Sequence, residues 1–460
     1  MAVGMLAAKP LAVTAGGLSV LLVLIAVALL LHDRDILHPA VVVALFVAVL
    51  TAGRSAYVLG EGAYGMSLDA SIPLAGSERA FSAGILAQLL TAGLFAAGAL
   101  LAGRRRSPVR RTRQEVPVNS TVLGFGVLIA TALSLGTIVA LVGEAGGVGR
   151  YLTELGNKQH LFEDRGWLYV LPALMSGATL AWFAAKAPTL STGNRRSLAL
   201  GIVLIAGLAA LGTGSRSAAI LLLVLPLVTL LHYRVGRIPI WLAAVLAVLL
   251  FTGASGFREV IRDRDNPAAE RVYTEGLQGF LTNTFASPDA RLPDAPAVLR
   301  EESPELKYGS TFASALVSPV PRSVWESKPE GANAEFSRLV APARFRETQS
   351  EFALTLSGEL LWNFSWPGLC LMLLLGYGVG VLHRRCATDP GGALPAFLYA
   401  AALSLVVFAL RADSFNTALA AGKVFAPGLL LLGASIHLAV GDRTVRGRSR
   451  IDQGIGEVGG

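Results

Sequence analysis

Charge is what this chain lacks most. Of its 460 residues only 15% are Asp, Glu, Lys or Arg, against about 25% in soluble domains. With a mean hydropathy of +0.58, that shortage excludes an ordinary soluble globular protein. Cysteine is scarce too. Cys370 falls within an apolar run and Cys386 follows a basic cluster, so neither suggests a disulfide or a thiolate metal site. The six histidines (His32, His38, His160, His232, His383 and His437) include no pair at the helical spacing of a zinc site. A P-loop, a dinucleotide-binding glycine fingerprint in context and a nucleophile elbow are all missing. Lysine supplies only 6 of the 39 basic residues, so arginine carries the positive charge. The surplus of +8 is collected in short clusters between apolar runs, where membrane topology accounts for it without nucleic acid.

What the chain has is long apolar runs. They recur near 20 residues in length from end to end, more than one buried core could absorb. Candidate spans are 11–31, 37–53, 81–102, 120–141, 166–185, 197–212, 217–232, 238–254, 357–382, 393–410 and 424–440. The expected fold is therefore an all-α polytopic membrane protein with about eleven transmembrane helices (about ten to twelve). The first run is too long for a typical signal peptide and lacks a clear cleavage site, so it reads as a retained helix. Basic residues in short loops set the orientation. The clusters at 104–113, 186–196, 232–237, 383–385 and 442–450 all fall on one side, the cytoplasm. Residues 1–254 then form the N-terminal helices and 255–356 a long extracytoplasmic loop. Residues 357–441 form the C-terminal helices, and 442–460 a basic cytoplasmic tail.

The outer loop is about 100 residues long, too long to be structureless. It carries twelve basic and fifteen acidic residues and neither cysteine nor histidine. Within it, 257–281 reads as helical, 286–305 as extended, and "FRETQSEFALTLSGELLWNF" (345–364) as one helix running into the next span. No internal repeat is evident, which withholds support from an inverted-repeat transporter. A transporter would also show charged or broken positions at mid-span, whereas the ionisable residues here fall at span ends.

Several outer segments present cations. Arg216 lies in "GTGSRSA" (212–218), where small residues would let a bulky anion approach backbone and guanidinium together; a snorkelling arginine is the competing reading. Arg258 and Arg262, four apart, share one helical face and suit a phosphate or pyrophosphate. Pairing with Glu259, Asp263 and Asp265 is the alternative. Arg165 and Arg411 add two more, with Asp413 beside Arg411 as ion-pair partner or site partner. Glu347, Glu351 and Glu359 stand where the outer loop meets the ninth span. Glu347 and Glu351 are spaced i, i+4, and a desolvated member of the set could serve as general base. Ordinary pairing with Arg344 and Arg346 competes with that role.

The order "GTGSRSA", "YGST" (308–311), "SPVPRSVWESKP" (318–329), "SGELLWNFSWPG" (357–368) and "RADSF" (411–415) resembles the bacterial oligosaccharide repeat-unit polymerases, the Wzy-type O-antigen and exopolysaccharide polymerases. The likeness runs from about residue 200 to 420. One departure is Ser365-Trp366, where the family has glycine after Asn-Phe. The resemblance implies a membrane glycosyltransferase of the bacterial cytoplasmic membrane, working at its outer face in polysaccharide biosynthesis, with no metal or other cofactor. It would move a glycan from undecaprenyl pyrophosphate onto a hydroxyl of the next lipid-linked unit with inversion. Its partners would be that lipid-linked oligosaccharide and membrane lipid, with a chain-length regulator as a further candidate. By matching position, Arg216, Arg258, Arg322 and Arg411 would bind pyrophosphate, helped by Lys328 and flanked by Arg165, Arg262, Tyr308, Trp325 and Asp413. Glu359, or failing that Glu347, is the general-base candidate. An O-antigen ligase-like transferase is the nearest alternative, although its expected loop histidine is missing; a polysaccharide transporter or flippase is the next.

Overall fold

The computed structural model of the chain describes residues 35–61, 78–103, 117–154, 170–190, 193–212, 219–236, 291–318, 324–348, 351–388 and 392–440, with isolated positions at 19–26, 285 and 320. Among the described residues every regular element is helical. In chain order these are α1 (Pro39–Glu61), α2 (Glu78–Gly103), α3 (Ser120–Glu144), α4 (Val148–Glu154), α5 (Leu171–Lys186), α6 (Gly193–Gly212) and α7 (Ile220–Arg234). Then follow α8 (Asp294–Glu302), α9 (Ser310–Leu316), α10 (Ala332–Val340) and α11 (Pro342–Thr348). The last four are α12 (Leu356–Gly368), α13 (Leu371–Thr388), α14 (Ala393–Ala409) and α15 (Ser414–Val440).

Four helices, α1, α2, α3 and α15, are long and apolar enough to cross a membrane, and α12 with α13 makes a fifth if the bent pair counts as one span. Shorter apolar helices occupy the expected spans at 197–212, 217–232 and 393–410. The expected spans at 11–31 and 238–254 lie outside the described residues, apart from isolated positions in the first. Helix α3 shows why such segments need lipid. It exposes Phe125, Leu128 and Val139, an apolar face that water would penalise at about 25 cal/mol per Å².

The chain divides into two compact units. One comprises Met1–Arg106, Pro239–Arg384 and Ala402–Ala420, the other Ser107–Ile238, Arg385–Ala401 and Ala421–Gly460. In the second unit α5 packs on α3 and α6. Asn119 caps α3 by accepting the N–H groups of Thr121 and Val122, which satisfies two donors that the first turn leaves open.

The first unit holds four of the five motif segments, all but "GTGSRSA" (212–218). Its helices α2 and α13 approach on small residues: a Cβ at Gly98 would meet the Leu373 carbonyl at 2.0 Å, and one at Gly376 the Phe95 carbonyl at 2.0 Å. Close backbone approach of this kind is how helices pack where lipid removes the hydrophobic drive. Helix α8 lies against α2 and α12, where an extended segment was expected over 286–305. Prolines 293 and 296 sit at or just inside its start, where a missing N–H costs nothing. Asp294 then fixes the helix through a buried pair: Arg54 of α1 donates Nε to Oδ1 at 3.2 Å and Nη2 to Oδ2 at 2.7 Å. Arg54 is 1% exposed, and its Nη1 donates to the Phe285 carbonyl.

Two breaks correct the expected continuous helix through 345–382. The first lies at 351–355, which is not helical. Side chains of α10 take its donors: Ser337 Oγ accepts the Phe352 N–H at 2.7 Å and Asn333 Oδ1 the Leu354 N–H at 2.8 Å. The second separates α12 from α13, whose axes turn by 108°. It follows from Ser365 at φ 56°, ψ −159° and from Pro367, which withdraws a backbone donor. The expected single span at 357–382 is thus a broken or re-entrant one.

Because removing one partner strands the other as a buried charge, Arg54→Ala or Asp294→Ala should each cost about 3–5 kcal/mol. Thermal unfolding of the purified protein should show a clear drop for both single variants. A smaller drop is expected for the double variant Arg54→Met/Asp294→Leu, which leaves no orphan.

Candidate functional site

The site is built around Glu359, in the first turn of α12, with 0% exposure. A carboxylate cannot be carried into such surroundings without donors, and three reach it from distant sequence. Thr311 of α9 donates its hydroxyl to Oε1 at 2.7 Å. Ser414, at the start of α15, donates Oγ–H to Oε1 and its backbone N–H to Oε2, both at 2.6 Å. One turn along α12, Asn363 extends the network. Its Nδ2 donates to Thr311 Oγ1 and to the Glu359 carbonyl, each at 2.7 Å, and its Oδ1 accepts the Gly309 N–H at 2.7 Å. Every polar atom of Asn363 is therefore used.

The turn before α9 folds for the same reason. Tyr308 and Gly309 both take positive φ, 47° and 91°, a conformation that glycine accepts freely. It lets Lys307 and Tyr308 donate their backbone N–H groups to the Trp362 and Asn363 carbonyls at 3.0 and 3.2 Å. Those are carbonyls freed by the break at Ser365 and Pro367 within α12. The Tyr308 ring itself is 79% exposed.

The loop 318–329 closes on Lys328, whose Nζ donates to the Ser318 and Val320 carbonyls at 2.7 and 2.8 Å. The ammonium also lies 5.0 Å from the centre of the Phe415 ring. Lys328, expected from sequence to help bind pyrophosphate, is buried and holds the loop against the "RADSF" turn. Gly331 completes that contact, since a Cβ there would sit 3.1 Å from Asp413 Oδ2 and 3.0 Å from Phe415. Trp325 is partly exposed and donates Nε1–H to Ser327 Oγ.

Asp413 lies beside Ser414 and is likewise 0% exposed. Its Oδ2 accepts the Asn333 N–H at 2.8 Å; its Oδ1 accepts the Asn416 N–H at 2.9 Å and Asn416 Nδ2 at 2.8 Å. The side chains of Asn416 and Asn333 also lie near Glu351. Glu351 follows α11 and is open to solvent. Loss of hydration pushes its carboxyl up to about 7, with the charges of Asp413 and Glu330 adding to the rise and the two asparagines opposing it. Glu347 and Glu351, spaced i, i+4, do not share a helix, because α11 ends at Thr348 and Glu351 lies in the non-helical stretch after it.

Of the other residues singled out from sequence, Arg411 is half-buried at the "RADSF" turn and its N–H bonds the Phe408 carbonyl. Glu347 lies in α11. Arg165, Arg216, Arg258, Arg262 and Arg322 lie outside the described residues. Among the described residues no three His, Cys, Asp or Glu side chains converge as metal ligands. A cavity of about 170 Å³ opens beside the bend, lined among others by Leu299, Arg300, Leu306, Trp362, Ser365 and Trp366. Indole faces and a guanidinium are groups that hold a sugar ring and an anionic substituent.

The chain matches no family model, no curated protein and no solved structure.

Glu359 is filled by its own chain, so Glu359→Gln should misplace a donor against a donor and destabilise the protein by about 1–3 kcal/mol. Glu351→Gln, open to solvent, should leave the melting temperature nearly unchanged. Ser365→Gly should raise stability by about 1 kcal/mol by relieving a backbone conformation that L-residues avoid. Thermal melts of the three variants in one detergent check all of this.

Proposed function

We propose that the chain polymerises undecaprenyl-pyrophosphate-linked oligosaccharide repeat units at the outer face of the bacterial cytoplasmic membrane. The reaction would be an inverting, metal-independent glycosyl transfer. One observation carries the reading. Four of the five segments behind the resemblance meet in one hydrogen-bonded and packed network: "YGST" through Thr311 and Gly309, "SPVPRSVWESKP" through Lys328, "SGELLWNFSWPG" through Glu359 and Asn363, and "RADSF" through Asp413, Ser414 and Phe415. The fifth, "GTGSRSA", lies mostly outside the described residues. A second observation agrees with it. The position where the family has glycine after Asn-Phe is Ser365, and the backbone there takes a conformation natural to glycine.

In this reading about eleven spans carry the site, with 255–356 outside the membrane. A sugar pyrophosphate already holds a good leaving group, so two tasks remain. The departing charge must be neutralised, which guanidinium groups do without a metal. Arg165, Arg216, Arg258, Arg262, Arg322 and Arg411 are the candidates. The acceptor hydroxyl must also lose its proton, for which a carboxylate serves.

A polysaccharide transporter is the second reading, and one observation favours it. The α12–α13 pair is broken in its apolar stretch with the buried Glu359 in its first half, a feature of discontinuous transporter helices. Deletion of the gene followed by glycan sizing separates the two. A polymerase deletion leaves single repeat units attached to their acceptor and removes the long chains. Loss of all attached glycan points to transport or ligation, and unchanged chain length sinks the proposal. Arg411→Ala should abolish polymer while leaving the protein in the membrane.

A further inference from the structure

The cavity at the break in α12 has a chemistry that the Glu359 network does not use. Resting on the polymerase reading for its place in the reaction, we infer that this cavity is a subsite for one acidic monosaccharide, a uronic acid, of the repeat unit. It lies where α2, α8 and the break in α12 meet. Its volume of about 170 Å³ is small beside the about 300–1,000 Å³ of sites for drug-sized ligands, so it suits a single ring.

Three donors line it without a partner among the described residues: the Arg300 guanidinium, the Ser365 hydroxyl and the Trp366 indole N–H. Around them the walls are apolar or aromatic, with Leu299, Leu306 and Trp362. A sugar ring matches that mixture, because it offers C–H faces to an indole and oxygens to the donors. Arg300 is the one cation among the described residues of the lining. Lys307 lies 5.1 Å from the Trp362 ring centre but is committed to Glu335 at 2.6 Å. A single guanidinium balances a single negative charge, and its fork fits a carboxylate in bidentate fashion. A pyrophosphate carries more charge than one arginine neutralises, and the neighbouring Glu301, Glu302 and Glu305 would repel it further.

The lining is held in place by printed contacts on both sides of the cavity. Ser303, at φ 44°, ends α8 in a left-handed turn. Its N–H donates to the Leu299 carbonyl at 3.0 Å and its hydroxyl to the Arg300 carbonyl at 3.1 Å, which fixes the backbone that carries Arg300. Trp362 is buried; its Nε1–H donates to the Glu305 carbonyl at 3.2 Å, and the Phe336 ring meets it edge-on at 6.3 Å. Ser365, at φ 56°, turns the chain at the cavity and leaves Trp366 partly exposed. Backbone conformations of that kind gather at ligand sites.

The test is saturation-transfer NMR of the purified full-length protein in detergent, with methyl glucuronide and methyl galacturonide as probes and methyl glucoside as the neutral control. At least one uronide should bind saturably and about tenfold or more tighter than the glucoside. Inorganic pyrophosphate and glycerophosphoglycerol should not displace it. Arg300→Gln, at an exposed position, should erase the preference for the acid, and Trp366→Ala should weaken uronide and glucoside alike. Binding of neither uronide, equal binding of uronide and glucoside, or a preference that survives Arg300→Gln overturns the inference. Displacement by pyrophosphate overturns it in favour of a phosphate subsite, and displacement by glycerophosphoglycerol in favour of a lipid headgroup. If Trp366→Ala does not fold, Arg300→Gln decides alone. Polymer ladders from a lipid-linked repeat unit without uronide binding sink this inference and leave the polymerase reading standing. Uronide binding without ladders sinks the polymerase reading and leaves the acidic-sugar site.

Discussion

The two oxygens of Glu359 constrain everything around them. A carboxylate with no exposed surface has to be met by donors, because leaving it bare in a low-dielectric interior costs many kcal/mol. The donors come from Thr311 and Ser414, about 50 residues away on either side in sequence. Once these three are joined, Asn363 locks the Tyr308-Gly309 turn and Asp413 gathers Asn333 and Asn416. The loop ending in Lys328 is held against Phe415. Short helices such as α9, only seven residues long, have little stability of their own. The network gives them a fixed place.

Backbone strain gathers at the same point. Thr355 at φ 65° and Ser365 at φ 56° bracket the stretch of α12 that carries Glu359 and Asn363. Conformations of this kind persist only where surrounding contacts over-determine them. Thr355 has such contacts: its hydroxyl accepts the Gly358 N–H at 3.2 Å and bonds Ser357. Rigid placement of Glu359 through Ser414 also fixes the adjoining Asp413, whose two oxygens hold Asn333 and Asn416.

Much of this was legible in the sequence, and the limits are physical. Apolar runs located helices well, because a span of lipid-like length leaves little ambiguity. They could not reveal the 108° bend, since Pro367 and Gly368 are tolerated in membrane helices and the decisive Ser365 conformation comes from tertiary contacts. The stretch 345–364 read as one helix but breaks at 351–355, because side chains of α10, distant in sequence, take the backbone donors at Phe352 and Leu354. The order of motif segments pointed to Glu359, Asp413 and Lys328, but not to which of them stays open. That depends on burial, which closes Glu359 and leaves Glu351 exposed. Thr311, Asn363 and Ser414 lay inside the quoted motifs unmarked, and Asn333 and Asn416 carried no signal beyond being asparagines.

The central claim is that this network serves the joining of lipid-linked glycan units. It is met most directly by reconstituting the full-length protein in vesicles with a single lipid-linked repeat unit and following the products by mass spectrometry. The account predicts species growing by whole repeat units, with one undecaprenyl pyrophosphate released for each new linkage. Substrate that stays a single unit, whether it remains in place or crosses the bilayer intact, would contradict it.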